Sequence, residues 1–387
     1  MKLRLIRKSK IKRSSKSQRT RILFSGQPDF LLAALVLGLT LFGIVMIYDA
    51  SAVMAFEDFG DRYYFLKRQG FWGAGGLILG LLVSLVDYHV WRRWAKPLLF
   101  VSLFFLILVL LPGFGGEIYG AKRRLSLPLG VPFMEQIAFQ PSELAKLAVV
   151  NYLAAWLSAK KKSCRVVLPF LGVVGVAAGL IMLEPDLGTT ITLVGGALVT
   201  LFLAPVPLWE VAAAGLVILA GGVGFAFSSE YRRNRLLVFL NPNIDRLGIS
   251  YHINQILIAL GSGGLFGLGL GYSRQKYQYL PEVVTDSIFA VIGEELGFVG
   301  ALLVVGALFL LVGRGFLCSA RGQDLFGRLL AGGITALVGF QIVLNLGSMA
   351  ALTPLTGLPL PFFSYGRSSL LINLVEMGIL LNISKQV

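Results

Sequence analysis

The sequence predicts an all-α protein that crosses a membrane ten times, and three observations carry that expectation. Of its 387 residues 56% are hydrophobic and only 14% charged, with a mean hydropathy of +0.77, whereas a water-soluble domain carries about 25% charged residues. The apolar residues gather in runs, many near the roughly 20 residues that span a bilayer. The alternating segments of an outer-membrane barrel are absent. Backbone groups in lipid must be satisfied within their own segment, so each span is read as a helix.

Residues 1–28 read as a cytoplasmic tail, with Lys and Arg dense between Lys2 and Arg21. The apolar run that follows is too long for the core of a signal peptide and lacks a small-residue cleavage site, so it is expected to stay as an anchor. A single membrane domain, 29–387, then holds ten spans: Phe30–Ala50, Phe71–Val86, Pro97–Leu111, Ser142–Ser158, Val167–Leu183, Gly188–Ala204, Leu208–Phe227, Asp286–Gly313, Gly327–Met349 and Ser368–Ile383. The segment between the seventh and eighth, residues 228–285, is far longer than an ordinary connection. Its apolar patch Ile253–Leu260 and its run Gly261-Ser262-Gly263-Gly264 predict that it folds back on the membrane surface.

An even number of spans puts both termini on one side. With the N-terminus in the cytoplasm, 21 of the 35 Lys and Arg residues are cytoplasmic and 13 external, with Lys146 inside a span, as the positive-inside tendency requires. Cys164 and Cys318 then lie in cytoplasmic loops as reduced thiols, and no disulfide is expected. The external basic residues cluster as Lys122-Arg123-Arg124, Arg232-Arg233-Asn234-Arg235 and Arg274–Lys276, with Arg367 alone. Arg and Lys bind phosphate, so an anionic ligand of the outer leaflet accounts for them; the alternative is that long loops tolerate charge.

Several chemistries are disfavoured. Phe266 stands where the last glycine of a dinucleotide-binding run would be, and no phosphate-binding loop of the GxxxxGK type occurs. His89 and His252 have no partners at metal-binding spacing, and His89, beside Tyr88 and Trp91, reads as an interfacial anchor. No internal repeat supports an inverted-repeat transporter.

Ionisable residues inside a membrane are costly and point to function. In Gln140-Pro141-Ser142-Glu143-Leu144-Ala145-Lys146, Pro141 suits a first helical turn. Glu143 meets the positive end of the helix dipole there, and Lys146 shares its face three residues on. The alternative is a pair that neutralises itself and only packs. In Thr285-Asp286-Ser287 through Glu294-Glu295-Leu296-Gly297, helical spacing places Ala290, Gly293 and Gly297 below Asp286, a small-residue seam that invites close approach by another helix. Asp286 at that mouth reads as a base or, equally, as an N-cap. In Pro359-Leu360-Pro361-Phe362-Phe363-Ser364-Tyr365-Gly366-Arg367-Ser368-Ser369, two prolines exclude a regular helix, so irregular backbone lines a cavity at the external face.

Together with Glu184-Pro185-Asp186-Leu187-Gly188-Thr189, these motifs resemble the SEDS family of peptidoglycan polymerases, the FtsW/RodA type, from about residue 30 to the C-terminus. Gly271-Tyr272-Ser273-Arg274-Gln275-Lys276 and Tyr279-Leu280-Pro281-Glu282 look more like the division-associated FtsW branch than RodA. Two positions depart from the family: Arg367 stands where it usually has glycine, and Leu125 where an aromatic commonly follows the arginine pair.

The resemblance implies a glycosyltransferase that polymerises lipid II, a disaccharide-pentapeptide on undecaprenyl pyrophosphate, at the outer face of the inner membrane during septal wall synthesis. It implies Asp286 as general base in an inverting reaction, Lys146 and Glu143 as its orienting pair, and Arg123, Arg124 and Arg232 as phosphate ligands. Gln140, Glu282, Thr285, Ser364, Ser368 and Ser369 complete the expected substrate-binding set. No organic cofactor is implied, and a divalent cation at the pyrophosphate is compatible with the chemistry. The implied partners are a class B penicillin-binding protein and other division-site membrane proteins, with no nucleic acid. Two other readings stand beside this one: a lipid II flippase and a non-catalytic scaffold. Asp286 on the outer side, with few charges in the inner half of the spans, favours the enzyme.

Overall fold

The computed structural model describes residues 26–112, 115–118, 121–125, 139–160, 165–226, 250–277 and 279–386, with isolated positions between 233 and 248. The expected basic tail up to Ser25, Cys164 and Arg232 lie outside the described residues. The helices are α1 (Phe30–Phe59), α2 (Tyr64–Leu85), α3 (His89–Leu110), α4 (Pro141–Ala159), α5 (Val167–Leu183), α6 (Leu187–Leu203), α7 (Leu208–Ala226), α8 (Tyr251–Ser262), α9 (Ile288–Arg321), α10 (Leu325–Met349) and α11 (Arg367–Ser384). Each apolar run singled out in the sequence falls on one of them, and α8 is the fold-back helix of the long loop. By length and composition α1, α3, α9 and α10 each suffice to cross a membrane, and α5, α6 and α7 are shorter apolar helices. The chain is a multi-pass membrane protein.

Two features depart from the sequence expectation. Strands β1 (Gly115–Ile118) and β2 (Ala121–Leu125) form an antiparallel hairpin with an irregular register at Gly116/Glu117. A strand edge is tolerable here because the segment lies off the ends of the helices, where water satisfies its backbone. The N–H of Leu125 donates to Phe139 O at 2.9 Å, tying the hairpin to the start of α4. The second finding is helix length: α1 and α9 run past the expected ends at Ala50 and Gly313, and α2 and α3 start before the expected Phe71 and Pro97; α1 stops at Gly60, whose positive φ of 70° closes the helix.

α10 lies at the centre of the bundle, against α9, α6 and α4. Gly332 and Gly333 let Leu203 and Ser319, and Thr200 and Val150, close on it, and Gly195 and Gly196 of α6 receive Phe340 and Leu337. Small residues at such contacts are how helices pack where lipid removes the hydrophobic drive.

The two ends of the bundle are defined by hydrogen bonds between connections. At one end the Asp29 N–H donates to Ser384 Oγ at 3.1 Å, Arg314 pairs with Asp29 at 2.6 Å, and Tyr88 donates to Asp324 at 2.7 Å. The described chain therefore begins and finishes at the same end. At the other end lie the starts of α4, α6, α9 and α11.

Candidate active site

Four helix N-termini meet at the second end. The Gln140 N–H, just before α4, donates to Ser368 Oγ of α11 at 3.0 Å, and its side-chain amide reaches Ser142 at 3.1 Å and Asp186, the cap of α6, at 3.4 Å. The Tyr365 N–H, two residues before α11, donates to Val284 O before α9 at 2.7 Å. Each terminus carries the partial positive charge of its helix dipole, an arrangement that favours an anion nearby.

Asp286 sits on the rim of this cluster. The helix starts at Ile288 with Ser287 in the cap position but with no capping hydrogen bond from its side chain, so Asp286 stands at the mouth of α9, next to the cap. Its carboxylate lies over Gly357, where an added Cβ would stand 3.4 Å from Oδ2. The backbone on either side is fixed by α10: Asn345 Nδ2 donates to Asp286 O at 3.0 Å and to Leu358 O at 2.8 Å. One helical turn before Asn345, Gln341 Nε2 donates to Pro359 O at 2.9 Å, while its Oε1 accepts from Lys146 Nζ at 2.9 Å.

Lys146 and Glu143 form the expected pair, 3.1 Å apart with side chains 2% exposed. Their route to Asp286 runs through α10: Lys146 can only donate, so it turns the Gln341 amide nitrogen towards Pro359 and Ser369 Oγ, the latter at 3.4 Å. Glu376 of α11, 2% exposed, adds a buried carboxyl close enough to feel both charges. The sequence reading passed over Gln341, Asn345 and Glu376. Gln341 and Asn345 are neutral, so a search for intramembrane charge misses them. Polar side chains four apart in an apolar span, on the face that meets the bundle, were the available signal.

The expected phosphate ligands separate. Arg123 is committed to backbone, donating to Glu184 O at 3.1 Å and Pro185 O at 2.5 Å. Arg124 is half-buried beside Arg367: burial first, and then the Arg367 charge, lower its guanidinium from the ordinary arginine value. An anion between those two side chains would relieve both effects. Lys276 of the Arg274–Lys276 cluster does not face outwards; its ammonium is 2.8 Å from Glu295 and 3.1 Å from Asp49. Arg367 is the first residue of α11, an ordinary helical position, so its replacement of the family's glycine imposes no backbone strain.

The polar set resolves similarly. Thr285 Oγ1 donates to the exposed Glu282 carboxylate at 2.7 Å, leaving that pair open at the mouth. Ser364 Oγ accepts from the Leu360 N–H at 2.7 Å and Gln69 Nε2 donates to Ser364 O at 3.2 Å, which pins the irregular segment before α11. Within that segment Phe362 holds a φ of 70°, a strained value for a side-chain-bearing residue, fixed by burial. Ser369 is buried inside this framework, whereas Ser368, which accepts from the Gln140 N–H, is half-buried. Glu184, at the turn into α6, is fully buried, and neither carboxyl oxygen has a hydrogen-bond partner among the described residues. Burial, reinforced by the Asp186 charge, raises its pKa to about 9. Among the described residues no group of three or more His, Cys, Asp or Glu is placed to hold a metal ion.

A bundle of membrane helices thus gathers four helix N-termini at one end, with Asp286 on the rim and Arg124 close to Arg367. The chain belongs to the FtsW/RodA/SpoVE family of cell cycle proteins, whose model matches residues 29–387. It is 44% identical over 360 residues to a probable peptidoglycan glycosyltransferase FtsW of Trichlorobacter lovleyi, covering 92% of this chain and 93% of the relative. It is 41% identical to the stage V sporulation protein E of Bacillus subtilis, covering 92% and 97%. Among solved structures it is similar to a chain from a peptidoglycan synthase complex that coordinates polymerization and crosslinking, at TM-score 0.73, 32% identity and coverage of 92% and 97%. It is also similar to the rod shape determining protein RodA of Thermus thermophilus, at TM-score 0.67, 30% identity and coverage of 92% and 96%.

Proposed function

We propose that Asp286 is the general base with which this peptidoglycan glycosyltransferase polymerises lipid II at the outer face of the membrane. The observation that carries the reading is the convergence of four helix N-termini, with Arg124 and Arg367 close to each other, at the end of the bundle where Asp286 lies. In this reading the chain crosses the membrane ten times with both termini in the cytoplasm, and α8 lies within the external loop.

The acceptor 4-hydroxyl attacks the donor anomeric carbon. Its oxygen forms the new glycosidic bond, its proton passes to Asp286, and the bond to the pyrophosphate oxygen breaks with its electron pair. Charge on the departing pyrophosphate is neutralised by Arg124, Arg367 and the helix ends, so no partnering carboxylic acid is needed, unlike the two carboxylates of most glycosidases. Attack opposite the leaving group turns an α-linked donor into a β-linked glycan. Arg123 braces the turn at Glu184–Pro185 through two of its five N–H donors, which leaves its remaining donors as candidate phosphate contacts. Arg232 remains a candidate ligand from the family resemblance, and a divalent cation would enter as the companion of the pyrophosphate. The identities to FtsW proteins support a septal role, and the synthase-complex neighbour supports a transpeptidase partner among other division-site proteins.

The test is Asp286→Asn in purified full-length protein. Glycan synthesis should fall by about 10²–10⁴-fold, the usual worth of a positioned base, while lipid II binding persists. Polymerisation at the wild-type rate by a folded Asn variant would falsify the base assignment, and loss of lipid II transport in its place would favour the flippase.

A further inference from the structure

The helix that follows Asp286 is broken, and the break is closed by the long loop. At Gly297 the backbone of α9 takes φ 69° and ψ −170°, values open to glycine but not to side-chain-bearing residues. The ladder bonds from Phe298 and Val299 back to Glu294 O and Glu295 O are therefore lost. Segment 264–269 replaces all four partners: the Phe298 N–H donates to Gly264 O at 2.9 Å and the Val299 N–H to Leu265 O at 3.1 Å, while Glu294 O and Glu295 O accept from Leu268 N at 3.0 Å and Gly269 N at 3.0 Å. Gly263 and Gly267 sit directly on the backbone of Gly293 and Glu295. The small-residue seam below Asp286 is thus the bed of this loop segment.

Three buried charged side chains fasten the same place, and the reaction above uses none of them. Glu294, 1% exposed, accepts from Ser273 Oγ at 2.5 Å, Arg274 N at 3.0 Å, Gln275 N at 3.3 Å and Ser262 Oγ at 3.3 Å. Glu295, 0% exposed, accepts from Ser273 N at 3.1 Å and Lys276 Nζ at 2.8 Å. Lys276 also reaches both Asp49 oxygens on α1 at 3.1 Å. From Lys276 the chain runs through hydrogen-bonded turns, with Leu280 N on Gln275 O and Ser287 N on Glu282 O. It enters the half-helix 288–296 and so returns to Glu294 and Glu295.

We propose that Lys276 is a positioning residue for Asp286: with Glu294, Glu295 and Asp49 it clasps residues 273–295 into a closed ring, anchored to α1, that holds the Asp286 carboxylate at its far side. A clasp suits the task because the half-helix is severed at Gly297 from the rest of α9 and has no rigid continuation of its own. A displacement of about 1 Å is enough to cost a reaction two orders of magnitude. The inference rests on Asp286 being the base.

The test compares Lys276→Met, Lys276→Arg and the milder Asp49→Asn in the purified full-length protein, by lipid II polymerisation and by amide hydrogen exchange. Lys276→Met should lower the saturated rate by at least about tenfold and leave half-saturating lipid II unchanged. Exchange should rise over residues 279–293 alone. Lys276→Arg should recover most of the rate, and Asp49→Asn should lose less of it. Unchanged exchange over 279–293 overturns the clasp, and raised exchange with an unchanged rate overturns its positioning role. Loss of rate together with raised exchange throughout the helices assigns Lys276 to global stability, which also overturns it. If Asp286→Asn remains active while Lys276→Met still loosens 279–293, the base assignment has failed and the clasp has not.

Discussion

Asp286 was legible in the sequence because few residue types sit at a helix mouth above a run of small residues, but its role against capping was not. A cap and a base call for the same residue type at the same place, the mouth of α9. The arginines behaved in the opposite way. Sequence marked Arg123 and Arg124 as equivalents, yet adjacent residues on a strand point to opposite faces. Arg123 is spent on Glu184 O and Pro185 O, whereas Arg124 shares its surroundings with Arg367. Arg124→Ala should therefore raise half-saturating lipid II by about tenfold, the worth of one charge-assisted contact, and Arg123→Ala should lower thermal stability with a smaller effect on affinity. Equal affinity losses in the two variants would contradict this division. Glu184 carries a pH signature of its own. Its folded pKa is raised to about 9, above the ordinary value near 4.3, so the folded state retains a proton that the unfolded chain has lost. Its contribution to stability is complete below the unfolded value and falls as pH rises towards about 9. Thermal unfolding in detergent should show stability declining from pH 5 to pH 9, and Glu184→Gln should flatten that decline. An identical slope in the variant would show that another group carries it.

At the level of elements, α10 is the part that turns separate motifs into one site. Its Gln341 and Asn345 hold Lys146, the carbonyls of Leu358 and Pro359, and the carbonyl of Asp286. Those partners come from α4, from the segment before α11 and from the start of α9, which are far apart in sequence. Hydropathy placed α10 with ease, since its central residues are apolar, but the two amides are individually neutral and become informative only when their partners are known. The hairpin β1–β2 was missed for a different reason: a five-residue strand rich in Lys and Arg has no apolar alternation to announce it, and its anchor, the Leu125–Phe139 pair, is non-local. The role given to α10 yields an ordered prediction. Asn345→Ala leaves two carbonyls without donors, a loss of about 1–3 kcal/mol. Asn345→Asp is close in size but sets carboxylate oxygens against the same carbonyls, so it should be the more damaging. Polymerisation rate at saturating lipid II should fall in the order wild type, Asn345→Ala, Asn345→Asp, with lipid II binding altered less than rate. A reversed order would mean that Asn345 acts through packing and not through its donors.

Over the whole molecule, the position of the site follows from the parity of the chain. If each apolar run crosses the bilayer once, every second crossing points the same way, and α4, α6, α9 and α11 are the even members of the series with α8 set aside. Their N-termini therefore share one face, and α2 joins them there through Gln69 and Ser364. The odd members deliver C-termini to that face, and one of them, α10, holds the cluster through Gln341 and Asn345, but the helix ends that meet in it are the N-termini of even ones, so positive helix ends dominate locally. The opposite face collects Asp29, Arg314, Tyr88, Asp324 and Ser384, and the basic excess of the sequence belongs with it. Helix direction decides which ends share a face, and the charge count alone says which face is expected to be cytoplasmic. Cysteines introduced in a background with Cys164 and Cys318 replaced by serine test it directly. Arg321→Cys, at the end of α9, should react with an impermeant thiol reagent only in inverted vesicles or opened cells. Tyr279→Cys, 59% exposed on the approach to Asp286, should react in intact cells. Labelling of Arg321→Cys from outside would reverse the molecule, moving Asp286 and the anion cluster to the cytoplasmic face, the wrong side for joining the strands of an outward-facing wall.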